Sequence, residues 1–544
     1  PQCGAKLLWH FRFPHPYSLL PRHRMRRSRT VDALDSLDRL GCPGVDVVER
    51  KRRRLRQKTP SSDEHAPPTE DSRSPSWPYP DISKFAFAKD FSQSLMANMT
   101  LEYKHALTMA LAGFSELCDM DRLVTIRVGT MCSGSEIYLS MLRHLSNHIR
   151  KDLGHQVRFV HLWSFEWIEK KQEWIRANWN PPKLFADVTA ISDRGTAFDV
   201  ISQADAVIDD VDLLIAGFSC CEASRPQRPG AERLTVAATG EFSTMRTLHG
   251  VAKAVRMLKP KKVILEHVES LEDKPERIFN NIVGYLQDSD FDTVRAIFNN
   301  IGYACPHAVF STVQTGLPVN RQRLYIECRR MRPDANIYQT LKTEKELEKK
   351  IGQAMTRLLS GSRRYMLDEF FLPDYKGLAS DWFFTQHAVH FTTLERVVAL
   401  PAKEEKWPAA HRARWRSTPH AEDKILYQCS LEGNVYFENM SARMQDALLL
   451  KLCTSRFPGP TSGIIPLEVS SDRSPLWWIV ALARPMLGVE ALLLQGADLQ
   501  DLGALRPGVW GNSFLRKLAG NAFISAQLFA FLLAGLSADS EHMY

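Results

Sequence analysis

Four short apolar runs, each followed by a stretch of helical spacing, limit the fold of this chain more than any other feature. LVTIRV (123–128), VRFVHLWSF (157–165), VDLLIAG (211–217) and KKVILEHV (261–268) are of strand length, and helical patterns fall at 135–149, 167–178, 244–258 and 275–287. Such runs are buried on both faces, and the amphipathic helices between them supply the cover, so the fold class is α/β with a parallel sheet. In sheets of this kind ligands lie beyond the carboxyl ends of the strands. The loops that follow the strands are therefore where chemistry is to be sought.

The rest of the chain divides around that rhythm. Residues 1–60 hold 15 Lys/Arg against 5 Asp/Glu, a surplus of +10 in a chain whose formal net charge is +8, so the remainder sums to about −2. RHRMRRSR (22–29) and ERKRRRLRQK (49–58) read as a nuclear-import signal, a phosphate-binding tail or a solvated stretch without a partner. Asp32, Asp35 and Asp38 interrupt the arm, against a mitochondrial transit peptide. TPSSDEHAPPTEDSRSPSWPYP (59–80) reads as a linker. Residues 331–475 lose the alternation and mix FFLPDY (370–375), WFF (382–384) and HRARWRS (411–417), which predicts a separate inserted domain. Helical periodicity returns in the last 70 residues, ending in LAGNAFISAQLFAFLLAGL (518–536).

Composition narrows the class further. Apolar content of 44% and charged content of 24% suit a globular chain of several domains. No run of 18 uncharged apolar residues occurs, so no membrane partner is expected. The ten cysteines form no CxxC pair, so neither a disulfide framework nor a zinc site is predicted.

The strand ends carry the chemistry-bearing residues. GTMCSGSEI (129–137) brackets a tight turn with Gly129 and Gly134, either a bare turn or a loop whose amides meet a cofactor. SFEW (164–167) puts Glu166 where a carboxylate accepts ribose hydroxyls, or where a surface charge sits. In LFADV (184–188), Asp187 is an acceptor for an adenine amino group or a helix cap. LLIAGFSCCEAS (213–224) places Cys220 and Cys221 at a strand-to-loop junction, as reactive thiols or small core fillers. Glu266 follows three aliphatics in KKVILEHV, and poor solvation there raises a carboxyl toward the proton-donating range. In TGLPVNRQRLYIECRR (315–330), Arg321 and Arg323 lie two residues apart and so face one side.

This ordered set resembles the cytosine-5 methyltransferase family, which uses S-adenosyl-L-methionine. The family's Phe-x-Gly-x-Gly loop is similar to Cys132-Ser133-Gly134-Ser135-Glu136, and its Pro-Cys-Gln-x-x-Ser motif to SCCEAS (219–224). Register from Gly217 to Ser224 puts Cys220 on the nucleophile and Cys221 on the glutamine. Glu-Asn-Val becomes Glu266-His267-Val268, and Pro-Gln-x-Arg-x-Arg becomes Pro318 to Arg323, with Val319 in place of the glutamine. The closing Gly-Asn-Ala/Ser-Val is similar to Gly520-Asn521-Ala522-Phe523, and GVEALLLQG (488–496) resembles the stretch before it. The likeness spans residues 123–330 and 476–536, and departs at Glu136, Cys221, His267 and Val319.

The resemblance implies a Rossmann-like class I methyltransferase, a doubly wound catalytic domain over 81–330 completed by 476–544, with a mixed target-recognition domain inserted at 331–475. It implies Cys220 as nucleophile toward C6 of an extruded cytosine, Glu266 as proton or hydrogen-bond donor at N3, Arg323 on O2 and Arg321 orienting its neighbours. Cys132, Ser133, Gly134, Ser135, Glu136, Glu166, Asp187, Asn521 and Ala522 would hold the cofactor. His267 either holds the Cys loop, donates to the base or is a satisfied structural histidine. DNA in the nucleus is the expected partner, with tRNA methylation and a catalytically idle nucleic-acid-binding protein as rivals. The absence of GxGxxG from the first loop excludes a nicotinamide dehydrogenase.

Overall fold

A computed structural model describes residues 87–112, 123–154, 156–220, 243–272, 290–372, 409–417, 484–498 and 510–538, with 278–279, 282–283, 448–452, 461–462, 476–479 and 482 as short pieces. Helices α1 (Phe87–Ala97) and α2 (Leu101–Ala112) precede the sheet. Strands β1 (Val124–Met131), β2 (Val157–Phe165) and β3 (Lys183–Phe185) run parallel and side by side, linked by α3 (Leu139–Leu153) and α4 (Glu169–Asn178). Beyond β3, β4 (Thr196–Asp199) and β5 (Ala204–Val207) continue the sheet antiparallel. The chain then crosses back: β6 (Leu213–Gly217) pairs with the free side of β1, and β7 (Lys262–Val268) follows parallel after α5 (Ser243–Leu258).

Strand order therefore reverses between β1 and β6, the point where an open α/β sheet leaves a crevice at its carboxyl edge. The alternation in β6 shows why the segment must be a two-faced strand. Leu213 and Ile215 enter one core layer, while Leu214 and Ala216 enter the other.

The sheet is not purely parallel, as the sequence predicts, but mixed. After α6 (Asp290–Asn300), β10 (Tyr303–Ala304) and β11 (His307–Ser311) both pair antiparallel with β12 (Gln322–Arg330), which pairs antiparallel with β7. The reversed direction of β12 sets its first residues beside the last residues of β7. Arg323 faces Val268 across the ladder and Tyr325 faces Glu266.

A second difference lies at 275–287, where helical spacing predicts a helix. The described residues there form paired two-residue strands, β8 (Ile278–Phe279) and β9 (Ile282–Val283). Their β-branched and aromatic residues suit a strand pair, and two asparagines separate them in sequence, a composition typical of hairpin connections.

Helix α7 (Ile337–Leu358) falls in sequence inside the region expected to form a separate domain. Yet its Leu347, Ile351 and Leu358 are fully buried in the same core layer as β1 and β6. The basic stretch HRARWRS lies in α8 (Ala409–Ser417), with Arg414 and Arg416 exposed. Strands β13 (Leu448–Leu452), β14 (Thr461–Ser462), β15 (Leu476–Ile479) and β16 (Arg484–Pro485) make a small antiparallel sheet.

The chain returns to the main core through α9 (Gly488–Leu493), α10 (Asn512–Asn521) and α11 (Ser525–Ser537). Every residue of α11 is buried. The span Ser513–Ser537 is long and apolar enough to cross a membrane by composition, but 89% of its most apolar window is buried inside the protein, as befits a core helix.

Candidate active site

Most of the residues singled out in the sequence lie at or just beyond the carboxyl ends of the parallel strands. On leaving β1 the backbone turns left-handed at Cys132 (φ 53°), Gly134 (φ 78°) and Glu136 (φ 59°). At Gly134 a side chain is excluded twice over, by the left-handed backbone and by the Asn521 carbonyl oxygen, which would lie 2.9 Å from a Cβ. Asn521 ends α10 and Ala522 caps it, so the closing segment packs on the loop; Phe523 stacks on Tyr138 at 5.5 Å between centroids. Gly217 lies equally close, since a Cβ there would sit 3.0 Å from the Phe523 ring and 3.1 Å from the Cys132 carbonyl oxygen.

The Glu166 side chain is presented rigidly. Its Oε1 accepts from the Ile168 amide at 2.9 Å, and its carbonyl oxygen accepts from Gln172 Nε2 at 2.6 Å. Burial pushes the carboxyl up, opposed by Lys171 and the Ile168 amide. Asp187 caps a short 3-10 turn, accepting from the amide and hydroxyl of Thr189 at 2.8 Å each, so the helix-cap reading of this residue is the geometry observed. Burial raises the Cys132 thiol, and the nearby Glu166 and Asp187 carboxylates raise it further.

S-adenosyl-L-methionine, the group the motifs imply, fits these residues. Glu166 and Asp187 supply carboxylate acceptors just beyond β2 and β3, and the turn after β1 is left-handed at Gly134, which carries no side chain. Trp167, 65% exposed beside Glu166, adds an aromatic face of the kind on which a purine stacks. Its signal was an aromatic directly after the acid.

Glu136 takes a different part from the one predicted for it. Its side chain is buried and accepts from Thr130 Oγ1 at 2.6 Å and Ser133 Oγ at 3.1 Å, so it braces the loop from inside. Burial raises it to about 7. His161 Nε2 lies 3.5 Å from Glu136 Oε2, and burial lowers that imidazole to about 4, which leaves it neutral near pH 7.

Beyond β6 the chain runs Phe218-Ser219-Cys220, and Cys220 is half-buried. Two contacts fix the residue before it. The Ser219 amide donates to Thr247 Oγ1 of α5 at 2.9 Å, and His267 Nε2 lies 3.3 Å from the Ser219 carbonyl oxygen. The His267 ring also stacks on Phe218 at 4.3 Å. Of the roles the sequence left open, His267 is thus placed to hold the Cys loop. Nothing in the sequence marked Thr247. Cys221 and Ser224, on which the register rests, lie outside the described residues.

Glu266 stands at the end of β7, level with Gly217 of β6, and pairs with Arg323 Nε at 2.9 Å. Burial raises its carboxyl, countered by Arg323 and Arg321. Arg321 and Arg323 serve different ends. The buried Arg321 guanidinium donates to Gln495 Oε1 at 2.9 Å and to the carbonyls of Ala519 and Gly520 at 3.2 and 3.0 Å, tying β12 to the closing segment. Burial lowers it to about 9, while Glu266 and Cys220 act against that, so it lies in the field of both. Gln495 was missed as a partner, although the stretch containing it was legible as GVEALLLQG. Val319, where the family motif has a glutamine, is fully buried among apolar side chains.

Comparisons with known proteins give the family of the chain. The model of the C-5 cytosine-specific DNA methylase family matches residues 151–443. The chain is 31% identical over 201 residues to the DNA (cytosine-5-)-methyltransferase DMT5 of Cryptococcus neoformans var. grubii, a match covering 37% of this chain and 7% of that protein. It is 28% identical over 166 residues to the type II methyltransferase M.HaeII of Haemophilus aegyptius, covering 30% and 42%. The chain thus spans a small part of the first relative and less than half of the second. Among solved structures, the Dnmt2 methyltransferase of S. pombe aligns with a TM-score of 0.41 at 13% identity, over 76% of this chain and 98% of that one. The family model covers more than half of the sequence, and the chain belongs to the C-5 cytosine-specific DNA methylase family.

Proposed function

We propose that this chain methylates C5 of cytosine in DNA, through a transient bond between Cys220 and C6 of a base turned out of the duplex. The observation that carries the reading is the meeting of three features at one sheet edge. These are the Cys220 loop held by Thr247 and His267, the Glu266–Arg323 pair, and Arg321 in the field of both Glu266 and Cys220. The names of the matched relatives favour DNA over RNA as the substrate. S-adenosyl-L-methionine supplies an electrophilic methyl group when bound.

The residues of the chain make the pyrimidine ready for it. The Cys220 thiolate adds to C6 and makes the otherwise inert C5 electron-rich. Glu266, its carboxyl raised by burial, delivers a proton or hydrogen bond to N3, so negative charge does not build up on the ring. Arg323 fixes that carboxyl at 2.9 Å and, in this reading, also holds O2 of the base. Once C5 carries the methyl group, loss of its proton re-forms the double bond and expels Cys220. None of this is possible within a stacked duplex, hence the extruded base. Exposed Arg414 and Arg416 of α8 are suited to phosphate contacts. The basic stretches at 22–29 and 49–58 support residence in the nucleus.

A 5-fluorocytosine substrate tests the reading, because fluorine at C5 blocks the proton loss that frees the enzyme. Incubation with S-adenosyl-L-methionine and fluorinated DNA gives a covalent complex that maps to Cys220. The complex disappears in Cys220→Ser and persists in Cys221→Ser. A cross-link on Cys221, on fluorinated RNA alone, or none at all overturns the proposal.

A further inference from the structure

The first turn of α4 brings a cation against the carboxylate expected to hold the cofactor. Lys171 Nζ lies 3.9 Å from Glu166 Oε2, and the two side chains are 11% and 4% exposed. A nearly buried lysine is uncommon unless its charge is matched, and among the described residues Glu166 is its acidic partner. The carboxylate has little freedom to close the gap. Its other oxygen is taken by the Ile168 amide at 2.9 Å, its own amide donates to the Phe185 carbonyl at 3.0 Å, and Gln172 grips its carbonyl. A separation of 3.9 Å is too long for a direct hydrogen bond. It is the right size for one hydroxyl oxygen to stand between, donating to the carboxylate and accepting from the ammonium.

We propose that Lys171 is a cofactor-binding residue, and that Lys171 and Glu166 together bracket one ribose hydroxyl of the cofactor. The inference rests on the methyl-transfer reading and adds to it a residue that no motif marks. A carboxylate is only an acceptor, so alone it leaves the hydroxyl's lone pairs without a donor. Lys171 supplies that donor and balances the buried negative charge. The clamp therefore selects for a hydroxyl at one position of the sugar, since a hydrogen there leaves both charged groups without their shared partner.

The test is equilibrium binding of S-adenosylhomocysteine and of its 2′-deoxy and 3′-deoxy analogues to the full chain and to Lys171→Met, which keeps the length of the stem. The wild-type protein binds one of the deoxy analogues about tenfold or more weakly, the usual scale of a hydrogen bond to a charged group. In Lys171→Met, S-adenosylhomocysteine itself weakens by about as much, and the gap between it and that analogue shrinks. Lys171→Gln, with a shorter donor, is a second variant should the first lose its fold. Unchanged affinity in either folded variant, or the full deoxy penalty retained, overturns the clamp. So does a wild-type protein that binds both deoxy analogues as tightly as the parent. A wild-type protein with no affinity for S-adenosylhomocysteine sinks the methyl-transfer reading itself, a result distinct from these.

Discussion

A carboxylate at position 136 stands where the loop geometry favours no side chain at all. The backbone of Glu136 is left-handed at φ 59°, a conformation that costs a non-glycine residue roughly 1–2 kcal/mol. The side chain offsets some of this by accepting from Thr130 and Ser133, but only by sitting fully buried. Burial raises its pKa from 4.5 to about 7, and that shift ties stability to pH. Between those values the folded protein holds a proton that the unfolded chain has released. The stabilisation is complete below the lower value and is lost as pH rises through the upper one, at about 1.4 kcal/mol per pH unit. Glu136→Gln keeps an acceptor oxygen and removes the titration. Urea unfolding from about pH 5 to about pH 8 should show the variant gaining on the wild type as pH rises. The gain should level off above about pH 7. Parallel stability profiles for the two proteins would show that this carboxyl does not titrate in the folded state.

One arginine ties the sheet to the segments that return beside it. Arg321 enters from the start of β12 and satisfies buried acceptors after α9 and at the end of α10, whose last residue backs the Gly134 turn. Removing the donor strands those acceptors, at about 1–3 kcal/mol each. Arg321→Met should therefore lower unfolding stability by about 3 kcal/mol or more, with faster amide exchange in α10 than in β6. An unchanged urea midpoint would mean that the closing segment is held by packing alone. This junction also marks the limit of what the sequence discloses. The parallel strands were legible because runs such as LLIAG are apolar on both faces, and Glu266, Arg321 and Arg323 because they lie at strand ends. The antiparallel course of β12 was not, since the residues of a strand read alike in both directions. Nor was the division of labour between the two arginines, which depends on Gln495, a residue 174 positions away. The pattern at 275–287 misled because Ile278, Phe279, Ile282 and Val283 lie at spacings that suit a helix and a tight hairpin equally.

Across the whole molecule, the described residues of 476–544 are part of the core that begins at Phe87. α11 packs in the layer that holds α1, α2, α3 and α7, and Gln527 donates to the carbonyls of Phe310 and Arg321. Arg329 of β12 donates to the Gly535 carbonyl while pairing with Glu327, which also pairs with the buried Lys262. A Cβ at Gly535 would collide with the Glu327 carboxylate, so the absence of a side chain there makes room for that buried carboxylate against the helix. Leu528, Phe529, Phe531, Leu532, Leu533 and Leu536 are each at most 2% exposed. At roughly 1.5–3 kcal/mol per buried side chain, these six contribute on the order of 10 kcal/mol. That is comparable with the entire stability of a typical domain, about 5–15 kcal/mol. A chain ending at residue 475 should therefore keep the motifs from Cys132 to Arg323 and still fail to fold. Its near-ultraviolet circular dichroism should be lost and its unfolding non-cooperative. Adding back 476–544 as a separate fragment should restore both signals, since the contacts that matter are made in space and not along the chain. A cooperative unfolding transition in the truncated chain alone would show instead that the sheet completes its own core and that the returning helices only cover it.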